Sequence, residues 1–110
     1  MSDNERKENI LNVFQSYILK IYAKVQYEVG DCYRLGIGVR EDEQKAVEWY
    51  QKAAEQGYAK AQNNLGWHYE YGTGVDKNEK KAVEWYQKAA QQGHAQAKIV
   101  LACVISMELE

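Results

Sequence analysis

Apolar residues recur at helical spacing along most of the chain, and one set of them occurs twice. Ala46, Trp49, Tyr50, Ala53 and Ala54 fall at i, i+3, i+4, i+7 and i+8, one stripe of a helix. Ala82, Trp85, Tyr86, Ala89 and Ala90 reproduce the stripe within the same decapeptide, KAVEWYQKAA, found at residues 45–54 and 81–90. Asp42 and Asn78 precede the two stripes as side chains able to accept from first-turn amides, and Gly57 and Gly93 follow as left-handed stops, predicting helices over 43–56 and 79–92. Glu48 with Lys52, and Glu84 with Lys88, are expected to pair along the solvent side. A second stripe runs through Ala61, Leu65, Gly66 and Tyr69, with Val25, Val29, Gly30 and Tyr33 one period earlier, predicting helices over 23–35 and 59–71. Glycine inside a helix costs about 1 kcal/mol against alanine, so Gly30 and Gly66 in register imply close backbone contact with an adjacent helix. In the connections LGIGV and YGTGV, Gly36 and Gly72 are expected to end the first helices, and Val39 and Val75 to plug the loops into the core.

Placed in register, Ala23–Tyr58 and Ala59–His94 are two blocks of 36 residues with 21 identities, and a third block begins at Ala95. A period of this length marks units that cannot bury their apolar faces alone and must stack on neighbours. The organisation predicted is one domain over 1–110: an N-terminal helix in 1–22, repeats at 23–58 and 59–94, and a partial repeat or cap helix at 95–110. Its fold class is all-α, a right-handed helix-turn-helix solenoid. The N-terminal stretch has two readings. Helices at 5–20 and 23–35 are one; a single helix from about residue 5 to 35 is the other, because Ile10, Phe14, Tyr17, Ile18, Ile21 and Val25 continue one stripe with no breaker. The last helix is expected near 95–108.

Composition narrows the functions. Proline is absent, and the net charge of -2 gives no electrostatic pull toward nucleic acid or anionic membrane. No apolar run approaches the ~20 residues that span a bilayer, and no secretory signal precedes the repeats, so a cytoplasmic location is expected. Cys32 and Cys103 occupy unmatched repeat positions and read as reduced thiols. No cofactor or metal site is expected. The Gly-x-Gly stretches follow no strand and precede no Gly-Lys-Ser/Thr, unlike a phosphate loop. His68 and His94 lack ligand partners at metal spacing. Cys32, one period before His68, offers only a chance pairing of nucleophile and base, and no catalytic residue is assigned.

The pattern Ala-x-x-x-Leu-Gly-x-x-Tyr-x-x-Gly-x-Gly-Val, followed by Lys-Ala-Val-x-Trp-Tyr-x-Lys-Ala-Ala-x-x-Gly-x-Ala-x-Ala, resembles the Sel-one-like repeats, relatives of the tetratricopeptide repeats. The resemblance covers residues 23–101. It implies a helical solenoid that acts as a protein-interaction adaptor and has no catalysis of its own. In some members paired cysteines staple each unit; none here are in register, which speaks against that subgroup and its secreted setting. Tyr17, Ile18 and Ile21 depart from the pattern, standing where Ala-Ala and a terminating glycine belong.

By analogy with tetratricopeptide arrays, the first helices line a concave face. Register then assigns Tyr27, Asp31, Arg34, Asn63, Trp67, Glu70, Tyr71 and Ile99 to a protein or peptide partner, with Lys24, Leu35, Lys60, Gln96 and Cys103 on the same face. Trp67 replaces Asp31, so the scaffold does not need an aromatic there, and an exposed aromatic anchors many protein contacts. The bland alternative is that Trp67 fills a gap between helices. At the ends, the last helix is apolar around most of its circumference, and the N-terminal helix carries Leu11 and Leu19 off its main stripe. A solenoid that ended there would wear a polar face. Leu11, Leu19, Val100, Val104 and Met107 are therefore candidate contacts of a homo-oligomer built through terminal helices.

Overall fold

The computed structural model describes residues 2–109, with the side chains of Val104, Ile105, Met107, Glu108 and Leu109 outside the described set; of the oligomer candidates, Val104 and Met107 therefore lie outside it. The described residues form five helices: α1 (Asp3–Leu35), α2 (Glu43–Glu55), α3 (Ala59–Tyr71), α4 (Glu79–Gln91) and α5 (Ala95–Leu109). Each packs on its neighbour in sequence, so the helices form a solenoid with extents of 59 × 39 × 19 Å. None of the described helices is long and apolar enough to cross a membrane.

The 33 residues of α1 form one helix, the single-helix reading, and the break between 20 and 23 is absent. Its cause is local. Neither glycine nor proline occurs before Gly30, and Ile21 occupies the place where later units carry Gly57 and Gly93 at φ 90° and 84°. A capping box starts the helix, with Glu5 N–H donating to Ser2 Oγ and Ser2 N–H donating to Glu5 Oε2, both at 3.2 Å. Gly36, at φ 69°, stops it.

The repeated string performs the same packing job twice. Asp42 and Asn78 cap α2 and α4 by accepting from Lys45 N–H and Lys81 N–H, each at 3.0 Å. Ala46, Tyr50, Ala53 and Ala54 are buried on α2, as are Ala82, Tyr86 and Ala89 on α4. The core between units is Val47, Ala53 and Ala54 of α2 against Ala61 and Leu65 of α3, flanked by Tyr27, Tyr58, Tyr69, Val75 and Trp85.

Three local expectations need correction. Gly66 admits a tyrosine ring rather than a helix backbone, whereas Gly30 admits both: a Cβ on Gly66 would stand 2.8 Å from Tyr86 Cδ1, and one on Gly30 2.7 Å from Tyr50 Cε1 and 3.3 Å from the Ala46 carbonyl oxygen of α2. Lys52 and Lys88 do not pair with Glu48 and Glu84; their ammonium groups lie over Trp49 and Trp85, at 4.2 and 4.4 Å from the ring centroids. Val75 joins the core, but Val39 is exposed, because the first loop has no preceding unit beneath it.

Candidate binding recess on the first-helix face

The side chains facing out from α1, α3 and α5 were to be the ones the fold does not use. Several are used. The buried phenol of Tyr50 donates to Asp31 and accepts from Arg34 Nε at 3.0 Å, while Arg34 and Asp31 approach each other at 3.5 Å. In the next unit the Tyr86 hydroxyl donates to Glu70 Oε2 at 2.6 Å. Burial, reinforced by the adjacent carboxylates, pushes both phenols well above the ordinary tyrosine range. Asp31, Arg34 and Glu70 thus satisfy core hydroxyls and are half-buried.

A second polar pairing escaped the sequence reading. Gln56 Nε2 donates to Gln26 Oε1, and Gln92 Nε2 donates to Gln62 Oε1 at 2.8 Å, tying each second helix's C-terminus to its unit's first helix. Gln62 also donates to the Ala54 carbonyl at 3.1 Å. The signal was available: Gln26 and Gln62 are in register, as are Gln56 and Gln92.

Between these supports lies a recess of about 280 Å³ lined by Tyr27, Arg34, Asn63, Asn64, Trp67, His68 and Gln96. It exists because of one register position. Tyr27, Asn63 and Ile99 are equivalent in the three units, and the middle one is the smallest. Tyr27 stacks between Tyr50 and Tyr58, with ring centroids 5.6 and 5.3 Å away, forming one wall. Trp67, 45 % exposed, forms another, edge-on to His68 at 5.1 Å and 5.2 Å from the 61 % exposed Tyr71. Asn63 is not on the rim but at the floor, 6 % exposed, and its buried Oδ1 has no hydrogen-bond partner.

His68, also at the floor, is held by the fold. Its Nδ1–H donates to the Thr73 carbonyl at 2.8 Å, since a carbonyl can only accept, and Glu43 Oε2 lies 3.9 Å away. Burial lowers its pKa, opposed by the Thr73 bond and the Glu43 charge. No hydrogen bond among the described residues joins His68 to Cys32, and both cysteines are free thiols. Among the described residues no cluster of three or more His, Cys, Asp or Glu could hold a metal.

Of the sequence candidates, then, Tyr27, Arg34, Asn63 and Trp67 converge on one recess, and Tyr71 flanks it. Asp31 and Glu70 stand behind it, bonded to tyrosines. Ile99 is exposed on α5 and does not line it. Asn64 and His68 line it and were missed. In the sequence His68 presents itself only as a possible metal ligand or base, and Asn64 follows Asn63 by one helical position.

Comparison with known proteins agrees with this architecture. The Sel1 repeat profile matches residues 23–58 and 59–94. No curated protein matches the chain. Among solved structures, a Sel1 repeat protein from Oxalobacter formigenes superposes with a TM-score of 0.71 at 51 % identity, over 72 % of this chain and 32 % of its own. Cysteine-rich protein B of Helicobacter pylori gives 0.69 at 34 % identity, over 72 % and 59 %. A protective antigen of uropathogenic Escherichia coli with an SLR fold gives 0.64 at 43 % identity, over 66 % and 15 %. The chain therefore spans less than two thirds of the length of each of these proteins. With both 36-residue blocks matched end to end, the chain belongs to the Sel1 repeat family.

Proposed function

We propose that this chain is a non-catalytic interaction module that takes a segment of a partner protein on the face formed by α1, α3 and α5. Sel1 repeat proteins are generally protein-interaction modules, and the family is typically scaffolding rather than catalytic. The observation that carries the reading is Asn63: a buried amide whose oxygen has no partner, at the floor of a recess walled by an exposed tryptophan. An unpaired buried polar group costs about 1–3 kcal/mol, which a ligand that pairs with it would recover. A peptide supplies both what Asn63 lacks and an apolar side chain for Trp67 and Tyr71.

The test is selection of binders from a random peptide library displayed on phage, followed by titration of the enriched peptides. Trp67→Ala is expected to cost about 2 kcal/mol of binding, the ordinary scale for a central aromatic anchor. Enriched peptides whose affinity is unchanged by both Trp67→Ala and Tyr71→Ala would refute the recess.

A second reading, self-association through terminal helices, is favoured by a separate observation. Every residue described from Ser2 to Tyr22 is exposed, Leu11 and Leu19 included, although this half of α1 is rich in large apolar side chains. Val100 on α5 is half-buried.

A further inference from the structure

We propose that the free half of α1 pairs with the same segment of a second copy, antiparallel about a two-fold axis between residues 19 and 20. The proposal rests on the self-association reading above and names its surface and register.

Ile10, Phe14, Tyr17, Ile18, Ile21, Tyr22 and Val25 are 47–63 % exposed. At 100° per residue they fall within an arc of about 140°, with Asn9, Asn12, Ser16 and Lys20 on the far side. The residues that α1 buries in the solenoid, Ala23, Gln26 and Gly30, lie opposite this arc. No helix of the described chain covers it.

The structure shows what such a surface accepts. The arc continues through Val25 to the half-buried Val29, whose register equivalents in α3 are Ala61 and Leu65. Those two are fully buried, and α2 covers them with Val47, Ala53 and Ala54. The loops repeat the contrast. Gly74 sits against the Glu43 carbonyl of α2, while Gly38 in the first unit has nothing within 4 Å. The uncovered edge of the first unit is therefore a seat for one more helix.

A second α1 fits that seat because its stripe reads alike from both directions. Residues whose numbers sum to 39 face each other when the copy is turned about the axis: Ile10 with Val29, Phe14 with Val25, Tyr17 with Tyr22, Ile18 with Ile21. The free half of each copy then covers the open edge of the other. Lys7 of one copy falls about 6 Å along the axis from Glu28 of the other, slightly more than one turn, an attraction that occurs twice by symmetry. Leu19 lies off this arc and remains exposed. At about 100 Å² of exposed surface apiece, half of what an aromatic residue offers, the seven stripe residues and Leu11 present roughly 800 Å² per copy. That matches what each partner of a standard interface buries and exceeds the usual largest patch on a monomer.

The experiment uses the full chain with Cys32→Ala and Cys103→Ser, so that introduced thiols are the only ones. Light scattering at micromolar concentration is expected to report a dimer, and Phe14→Glu to raise its dissociation constant roughly a hundredfold or more with the helical circular dichroism retained. A short bifunctional maleimide is expected to join Phe14→Cys chains to Val25→Cys chains when the two are mixed. Phe14→Cys alone should not cross-link, because in this register its two copies stand about 16 Å apart along the axis. Cross-linking of Phe14→Cys to itself would mean parallel helices and overturn the register. A dimer that survives Phe14→Glu and cross-links through Ile99→Cys would also overturn it while leaving assembly through terminal helices standing. A monomeric unmutated chain would overturn both.

Discussion

Gly66→Ala isolates the contact on which each unit's geometry depends. The added methyl would stand 2.8 Å from Tyr86 Cδ1 and Cε1 and 3.1 Å from Cζ, where ordinary contacts begin near 3.4 Å. The ring would have to retreat by about 0.6 Å. It has nowhere to go: Tyr86 is 2 % exposed, and its hydroxyl is fixed to Glu70 at 2.6 Å. Alanine gains about 1 kcal/mol of helix propensity over glycine. Against this stand roughly 1–3 kcal/mol for overpacking a close-packed site and about 1.5–3 kcal/mol if the bond to the Glu70 carboxylate breaks. The expected outcome is a net loss of about 1–3 kcal/mol in urea unfolding. On a Tyr86→Phe background the ring is no longer tethered and the cost of Gly66→Ala is expected to shrink, a coupling a double-mutant cycle measures. Gly66→Ala that is neutral or stabilising on the unmodified background would refute the reasoning, because propensity alone would then govern the position.

Other outcomes follow from the same kinds of contact. Asp42→Ala and Asn78→Ala each remove a side-chain acceptor for a first-turn amide and are expected to cost about 1 kcal/mol in the same unfolding assay. Gln62→Leu leaves the Ala54 carbonyl and the Gln92 amide without their partner, and a loss of about 1–3 kcal/mol is expected, larger than for Gln51→Leu on the surface. Stability is expected to fall with pH through the histidine range: His68 is buried with a lowered pKa, so below about 6.5 the unfolded chain binds a proton that the folded chain resists. The fall continues down to the folded-state pKa. A pH titration of unfolding should therefore be flatter for His68→Gln, and an equal slope in the two proteins would show that this imidazole is not what resists protonation.

The parts of the fold that recur in identical letters were legible, and the reason is physical. A solenoid repeats the same contact, so the same residues must solve it each time, which is why α2 and α4, their caps and their glycine stops follow from the sequence. Reading failed for side-chain partners, both where the letters repeat, as in the Gln26–Gln56 and Gln62–Gln92 pairs, and where the two units use different letters. The phenols of Tyr50 and Tyr86 are equivalent, yet Asp31 meets one and Glu70 the other, from positions that are not in register. Such side chains look free and are committed. The continuous α1 turned on one missing glycine at residue 21, where apolar spacing alone fits both readings. Trp67 and Asn63 stood out through difference from their counterparts, but that Asn63 forms a floor and Trp67 a wall depends on neighbouring helices that no single stripe describes.

The central claim is that the Asn63 recess receives a segment of another protein, and nuclear magnetic resonance of the labelled chain addresses it most directly. A peptide selected from the random library is added, and the Asn63 side-chain amide and the Trp67 indole N–H are followed. The account predicts that both resonances move together and saturate with the binding isotherm, while those of the Val83 and Glu84 backbone on the far side of α4 stay in place. A peptide that binds this chain tightly yet leaves the Asn63 and Trp67 resonances unmoved would contradict it.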